Sequence, residues 1–179
     1  MKLPKKWLKE YVDLRISNAE FIEKMMWRGF ECAGVEKELS GVEGVVVGRV
    51  LSVFKHENSD HLHVCQVDVG SEVLTIVTGA DNVFDGALVP VAVVGSKLDG
   101  REMAAVNMRG VTSYGMLCSG AELGLTNADY PGSEVHGILI LEEDYPLGQS
   151  IDMALGFDDE IFEFELTPNR PDCISIIGM

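Results

Sequence analysis

The residues best suited to chemistry are His61, His63 and Cys65, which alternate along the chain, with His56 shortly before them. Residues two apart on an extended strand share a face, so two imidazoles and a thiolate could converge on a metal ion, with His56 as fourth ligand. Such residues are about 7 Å apart, however, and a small tetrahedral site would need a bent strand. A buried strand position explains Cys65 more simply, so we predict no metal ligands here.

Two acidic runs, Glu142-Glu143-Asp144 and Asp158-Asp159-Glu160, could bind a hard cation, although such runs are more often solvated loops. The chain contains neither of the common glycine-rich phosphate loops, no Gly-x-Ser-x-Gly and no His-Glu-x-x-His. We therefore predict no catalytic residues and no bound cofactor in this chain.

Residues 1–39 are predicted to be helical. Trp7, Leu8, Tyr11 and Val12 recur at helical spacing and would form one apolar face that packs in a core. Ser17 to Glu20 fits a capping box that begins a second helix, for which Gly29 is a plausible end.

From about residue 42 the pattern is that of short β-strands separated by Gly, Asp-Asn and Pro. The predicted strands are residues 45–51, 62–69, 73–77, 88–94 and 137–141. Short strands at this spacing favour a small closed or nearly closed barrel.

After Gly148 the chain is predicted to leave the barrel. Residues 161–166 alternate in polarity and predict a strand with Phe162, Phe164 and Leu166 on one face. Residues 167–172 form a turn made rigid by two prolines. The sequence then ends at Met179 in an apolar segment without a polar tail, from which we expect the chain to be part of a longer protein.

The composition indicates a folded, acidic protein. Of 179 residues 46% are hydrophobic, and the net charge is −15. The basic start is not followed by an apolar signal core, and no apolar run is long enough to cross a membrane, so a cytoplasmic location is expected. The four cysteines are far apart and are expected to be reduced.

Two stretches of the predicted barrel resemble the EMAP-type tRNA-binding OB domain. Residues 56–70, which begin His-Glu-Asn-Ser-Asp-His-Leu, resemble its first signature. Residues 109–119, which contain Ser-Tyr-Gly-Met-Leu-Cys-Ser, and the following residues 122–125 resemble its second. The flanks, residues 7–13 and 165–173, resemble the β subunits of bacterial phenylalanyl-tRNA synthetases.

The resemblance implies an α+β, mainly β fold. An OB-fold β-barrel of residues 40–149 would be inserted in a small α/β domain formed by residues 1–39 and 150–179. It also implies a parent α₂β₂ ligase that uses ATP and Mg²⁺ to attach phenylalanine to tRNA, with an α subunit as partner and the chemistry outside this segment.

OB barrels bind single-stranded or looped RNA on one face. The signatures suggest RNA-binding candidates: His56, Asn58, Asp60, His61, His63, Arg109, Ser113, Tyr114, Gly115, Met116 and Ser119. The other interpretation is that Ser-x-Gly-Met is a barrel-closing turn with Met116 and Cys118 buried. Ser113 and Tyr114 are the two residues for which contact with RNA is the favoured interpretation.

Charge sets the expected strength of RNA binding. Residues 40–149 hold five Lys/Arg against fifteen Asp/Glu, a net charge of −10, and neutral histidines add little. Weak, salt-sensitive tRNA binding is expected, at best about 10⁻⁴–10⁻⁶ M. Two alternatives remain: a purely structural module of the synthetase, and a free-standing tRNA-binding dimer.

Overall fold

A computed structural model of the protein describes residues 1–179, and the chain divides into two compact units. Met1–Ser40 and Phe157–Met179 form the first, here the terminal unit, and Gly41–Gly156 forms the second, here the middle unit. No helix of the protein is both long and apolar enough to span a membrane.

The terminal unit is a three-stranded antiparallel sheet in the order β1-β11-β2 with short helices. Its elements are β1 (Lys2–Pro4), α1 (Lys5–Lys9), α2 (Asn18–Trp27), β2 (Glu31–Lys37) and β11 (Glu160–Glu165), followed by 3₁₀ turns at Pro171–Ile174 and Ile176–Gly178. Its core contains the Phe21 ring edge-on to Phe162, with ring centroids 5.0 Å apart, and Phe164 alongside.

The helical prediction for residues 1–39 is only partly correct. Ser17 caps α2 as expected, because its hydroxyl accepts from the Glu20 N–H at 3.2 Å, and Gly29 follows the helix with a positive φ. Residues Glu31–Lys37 are instead a strand, since they pair with β11 along its length. Trp7 and Tyr11 are about half exposed rather than packed, because α1 is only five residues long.

A partly buried ion pair joins the two ends of the terminal unit. Its contribution to stability should therefore depend on pH. The Lys5 ammonium donates to Glu160 at 2.5 Å, and Asn18 donates to its other oxygen at 2.7 Å. The bond from Lys5 lowers the pKa of Glu160 below its usual value, with burial opposing and Asn18 adding to the effect.

We expect this carboxylate to stabilise the protein above pH about 4.5 and to lose its contribution as the pH falls through the lowered pKa. Glu160→Gln should remove about 0.5–1 kcal/mol of stability at pH 7 and less in acid. Thermal unfolding between pH 7 and 3 measures this, with the exposed Glu165→Gln as control. Equal losses at both pH values would contradict it.

The middle unit is mainly β-sheet, as the sequence predicts. Its strands are β3 (Val42–Lys55), β4 (His63–Asp68), β5 (Val73–Thr78), β6 (Leu88–Leu98), β7 (Arg101–Glu102), β8 (Val106–Met108), β9 (Val111–Ser113) and β10 (Gly115–Leu117); one short helix, α3 (Ile151–Leu155), follows. The main sheet is antiparallel in the order β10-β6-β3-β4-β5, and β8 and β9 form a separate hairpin.

The two edges of this sheet meet at a seam between β5 and the segment that joins β9 to β10. The Tyr114 N–H donates to the Thr75 carbonyl at 2.9 Å. The Val77 N–H donates to the Ser113 hydroxyl, also at 2.9 Å. The enclosed core is aliphatic and includes Cys65 and Ile76.

The strand predicted at residues 137–141 is not formed, although Ile138, Leu139 and Leu141 are buried. Successive backbone groups of this segment bond to different partners instead of one neighbouring strand. The Asn82 side chain bonds both the N–H and the carbonyl of Ile138, while the N–H of Leu139 donates to Cys118 and that of Leu141 to Leu88.

Candidate functional site

The loop after β3 and the β8–β9 hairpin are joined by hydrogen bonds, and we call this junction the clasp (residues 55–61 with Met108 to Gly110). His56 lies at its centre and is only 4% exposed. Its Nε2 is 3.0 Å from the Met108 carbonyl oxygen, and its Nδ1 accepts the Asn58 N–H at 3.0 Å. Since Nδ1 accepts, Nε2 must carry the proton that is donated to Met108. Both ring nitrogens therefore have hydrogen-bond partners within the protein.

Asn58 and Arg109 bond to each other in both directions. The Asn58 side-chain amide donates to the Arg109 carbonyl at 3.3 Å, and the Arg109 guanidinium donates to the Asn58 carbonyl at 2.9 Å. Arg109 has a φ of +52° and Gly110 one of +101°, as in the two-residue turns that suit tight hairpins. A left-handed conformation costs a non-glycine residue about 1–2 kcal/mol. The turn therefore holds Arg109, at the exposed tip of the hairpin, in a backbone conformation that its residue type disfavours.

The clasp carries unpaired positive charge in a unit that is otherwise acidic. Of the five Lys/Arg of the middle unit, Arg49 pairs with Asp144 at 2.9 Å and Lys97 with Glu43 at 3.2 Å. The other three, Lys55, Arg101 and Arg109, have no carboxylate partner at salt-bridge distance. Two of these three lie in the clasp.

Several predicted RNA-binding residues surround these cations. Asn58, Asp60 and His61 are exposed in the loop, and His63 is half-buried opposite Lys55 at the start of β4. Glu57 and Asp60 place two negative charges in the same loop, which would oppose a phosphate. The structure thus brings the first signature together with Arg109 of the second.

Two further residues of the second signature, Ser113 and Gly115, serve the interior. Ser113 is buried, and its hydroxyl accepts from Val77 and donates to the Gly115 carbonyl at 2.8 Å. Its favoured role in RNA contact is therefore not supported, because both hydrogen-bonding functions are used at the seam. A Cβ on Gly115 would lie 2.6 Å from the Ala92 carbonyl oxygen, so this glycine permits close packing of β10 on β6.

Met116 and Ser119 are partly buried, and each has a neighbour within the domain. Met116 is half-buried in β10 opposite Ala92. The Ser119 hydroxyl donates to Glu122 at 2.8 Å and begins a turn.

Tyr114 is exposed but lies away from the clasp. It lines an open groove of about 630 Å³ together with residues 69–72 of the β4–β5 turn. The clasp adjoins the opposite end of β4, where His63 pairs with Thr78, whereas Asp68 pairs with Val73 at the turn end. These ends are separated by the six-residue strand, roughly 17 Å.

The matching family model identifies the middle unit. The model described as "Putative tRNA binding domain" matches residues 45–150, which is more than half of the chain and includes the whole clasp. The chain belongs to this family of tRNA-binding domains.

Proteins similar to the tRNA-binding domain and its flanks include three phenylalanine–tRNA ligase β subunits. Those of Clostridium acetobutylicum, Moorella thermoacetica and Symbiobacterium thermophilum are 40%, 42% and 46% identical over 181, 180 and 184 residues. Each alignment covers 100% of this chain but only 22%, 22% and 20% of the relative. The chain thus spans about a fifth of the length of these relatives.

Among solved structures, a MetRS related protein from Pyrococcus horikoshii has a TM-score of 0.42 and 20% identity, covering 75% of this chain and 96% of that one. This similarity is too low to support a conclusion.

The tRNA-binding domain does not assemble the alternating His and Cys residues into a metal site. Cys65 is fully buried in the core, where burial raises the pKa of its thiol to about 11, while His61 is exposed. No group of three potential metal ligands occurs in the protein. In the acidic runs, Asp144 pairs with Arg49, and Asp158 and Glu160 pair with lysines.

Sequence reasoning missed two residues of the tRNA-binding domain: Lys55, which lies in the clasp, and Phe54, which precedes it. Lys55 directly precedes His56 and is one of the unpaired cations. Phe54 is 59% exposed on β3. The alternation of side chains along β3 could have identified Phe54, since an apolar residue near the end of a strand can face outward. The two signatures, however, begin only after this residue.

Proposed function

We propose that the tRNA-binding domain binds tRNA at the clasp, through the phosphates of a single-stranded or looped segment. The observation that carries this proposal is that Lys55 and Arg109, unlike Arg49 and Lys97, are unpaired and lie at one junction. Phosphate contacts by Lys and Arg supply most of the affinity of sequence-independent binding. Exposed Asn58 and His61 would add hydrogen bonds there, and Tyr114 would act only if the RNA extended to its groove.

We further propose that the chain is the N-terminal part of the β subunit of a phenylalanine–tRNA ligase. The similarity of 40–46% over the entire chain supports this assignment. The parent would be a cytoplasmic α₂β₂ enzyme that uses ATP and Mg²⁺, and its α subunit would be the main protein partner. This segment would contribute tRNA binding and subunit architecture, with the chemistry carried out elsewhere.

An OB-type barrel of residues 40–149, inserted in a first β-subunit domain of residues 1–39 and 150–179, is the domain arrangement we propose. The antiparallel sheet whose edges meet at a seam supports the barrel. The compact unit formed by both chain ends supports the insertion.

The proposed function is tested by titrating tRNA into the whole chain and following fluorescence anisotropy at several salt concentrations. We expect weak binding that decreases steeply with salt, because residues 40–149 carry a net charge of −10. The double variant Lys55→Ala/Arg109→Ala should bind at least about tenfold more weakly and lower the slope of log affinity against log salt by about 2.

The matched control is Arg49→Ala/Lys97→Ala, which removes the same charge from cations that already have carboxylate partners. This control should retain the wild-type slope. Equal effects of the two double variants would show that net charge and not the clasp determines binding.

A structural module that packs within the synthetase and touches RNA little is the second candidate, and the acidic surface favours it. Deleting residues 40–149 from the full enzyme separates the two. Unchanged tRNA affinity with lost tetramer assembly would support the structural role.

A further inference from the structure

The groove next to Tyr114 lies at the end of the tRNA-binding domain that is remote from the clasp. It has a volume of about 630 Å³, and the β4–β5 turn forms one of its walls. The other walls come from the first half of β3, from β6 and from the segment after Pro146. Most of the lining side chains are aliphatic: Val46, Val69, Leu74, Val93, Val94 and Leu147. The volume is within the range of about 300–1,000 Å³ that is typical of binding sites.

Two glycines allow close contact between two walls of the groove. A Cβ on Gly70, in the β4–β5 turn, would lie 2.8 Å from the Leu147 carbonyl oxygen. A Cβ on Gly148 would lie 2.6 Å from the Val69 carbonyl oxygen. The Gly148 N–H also donates to the Val47 carbonyl of β3 at 2.8 Å. The groove is therefore part of the packed domain, so a ligand would not have to order its walls.

The only charge that lines the groove is negative. It belongs to Glu72, whose carboxylate has no ion-pair partner in the protein. No Lys or Arg lines the groove, and residues 40–149 carry a net charge of −10. A phosphate or an acidic peptide would therefore be repelled. A ligand with a positive charge next to apolar groups matches these walls.

The exposure of the groove favours a protein segment over a small molecule. Val94 is 51% exposed and Tyr114 48%, whereas small-molecule sites bury about 70–90% of their ligand. Tyr side chains are frequent among the residues that contribute most to protein interfaces. A Lys or Arg of the bound segment would pair with Glu72, and its aliphatic neighbours would cover the valines.

We propose that this groove binds a segment of the parent β subunit outside residues 1–179, and that this segment carries a Lys or Arg beside aliphatic side chains. The inference rests on the proposed parent but not on RNA binding at the clasp. The chain spans only 20–22% of the three relatives, so such a parent supplies the segment on the same polypeptide, at high effective concentration. The domain would then contact RNA at one end and its own subunit at the other.

The test is labelling of carboxylates with a carbodiimide and an amine, located by mass spectrometry. It compares residues 1–179 with the intact parent subunit, both free of tRNA. Glu72 should react at least about tenfold more slowly in the intact subunit, because the bound segment covers it. Glu102 is the matched control and should react equally in both, since it is exposed in the same domain, has no ion-pair partner and does not line the groove.

A pair of variants of the intact subunit shows whether the groove itself is responsible. Val94→Asn places an amide on the wall that binding would remove from water. It should raise the labelling of Glu72 about tenfold, to the rate of the isolated chain. Val106→Asn makes the same change at a residue that is 48% exposed and outside the groove, and it should leave Glu72 protected.

Equal labelling of Glu72 in the two proteins would overturn the inference and leave the proposed parent and the clasp unaffected. Protection that appears only when tRNA is added would assign the groove to RNA. Protection that rises with the concentration of the isolated chain would assign it to a second copy, and either result overturns the inference. A reading frame that does not continue into a ligase β subunit would instead reject the proposed parent and this inference with it.

Discussion

Gly115→Ala is expected to lower the free energy of unfolding of the protein by roughly 2–4 kcal/mol. The added Cβ would lie 2.6 Å from the Ala92 carbonyl oxygen, a backbone atom that cannot move without disturbing the pairing of β10 with β6. The Gly115 φ of +156° adds strain for any residue with a Cβ. Because Gly115 also accepts from Ser113, the substitution should loosen the seam that Ser113 closes. Urea unfolding measures the loss.

Gly95→Ala separates the two causes. Gly95 also has a positive φ, +89°, but an added Cβ there meets no atom within 4 Å. This control should lose about 1 kcal/mol from backbone strain alone. If Gly115→Ala were no more destabilising than Gly95→Ala, the close approach to Ala92 would not be important for the stability of the seam.

His56→Ala is expected to cost roughly 2–4 kcal/mol of stability, because it leaves the Asn58 N–H and the Met108 carbonyl without their partner and opens a cavity. It should also weaken tRNA binding, since the loop that holds Arg109 through the Asn58 carbonyl loses its anchor. Chemical unfolding and anisotropy titration of the same samples measure both effects.

Two conservative variants indicate which bond of His56 is more important. In His56→Asn the side-chain oxygen can replace Nδ1 as acceptor for the Asn58 N–H, and in His56→Gln the side-chain amide can replace Nε2 as donor to the Met108 carbonyl. Each variant should therefore retain part of the stability. His61→Ala, an exposed histidine of the same loop, is the control and should leave stability within about 0.5 kcal/mol of wild type. A loss in His61→Ala as large as in His56→Ala would contradict the assignment of His56 as the anchor.

The clasp changes how the two signatures are interpreted. Taken as sequence, each is a set of candidate RNA contacts. In the structure, His56 and Ser113 are internal, each bonded to a partner on another segment, and they hold the exposed residues in place. In the clasp, Arg109, Asn58 and His61 are the signature residues that are exposed and remain available to a ligand.

The sequence by itself determined what depends on residue type and short-range spacing. The spacing of short strand-like stretches between turn residues predicted the central strands β4 and β5. Ser17 and Gly29 predicted the bounds of α2. The family relationship also followed from the sequence, because the two signatures are continuous stretches.

Only the tertiary structure decided which residues meet. His56 and its partner Met108 are 52 residues apart in sequence, and Val77 and its partner Ser113 are 36 residues apart. No local pattern therefore distinguishes these internal side chains from exposed ones. The same reason explains two wrong predictions of secondary structure. Residues 31–37 pair with a strand more than 120 residues later, and the backbone groups of residues 137–141 bond to several separate segments. Hydrogen-bonding groups are satisfied by whichever partner the fold brings near, and that choice is not encoded in spacing along the chain.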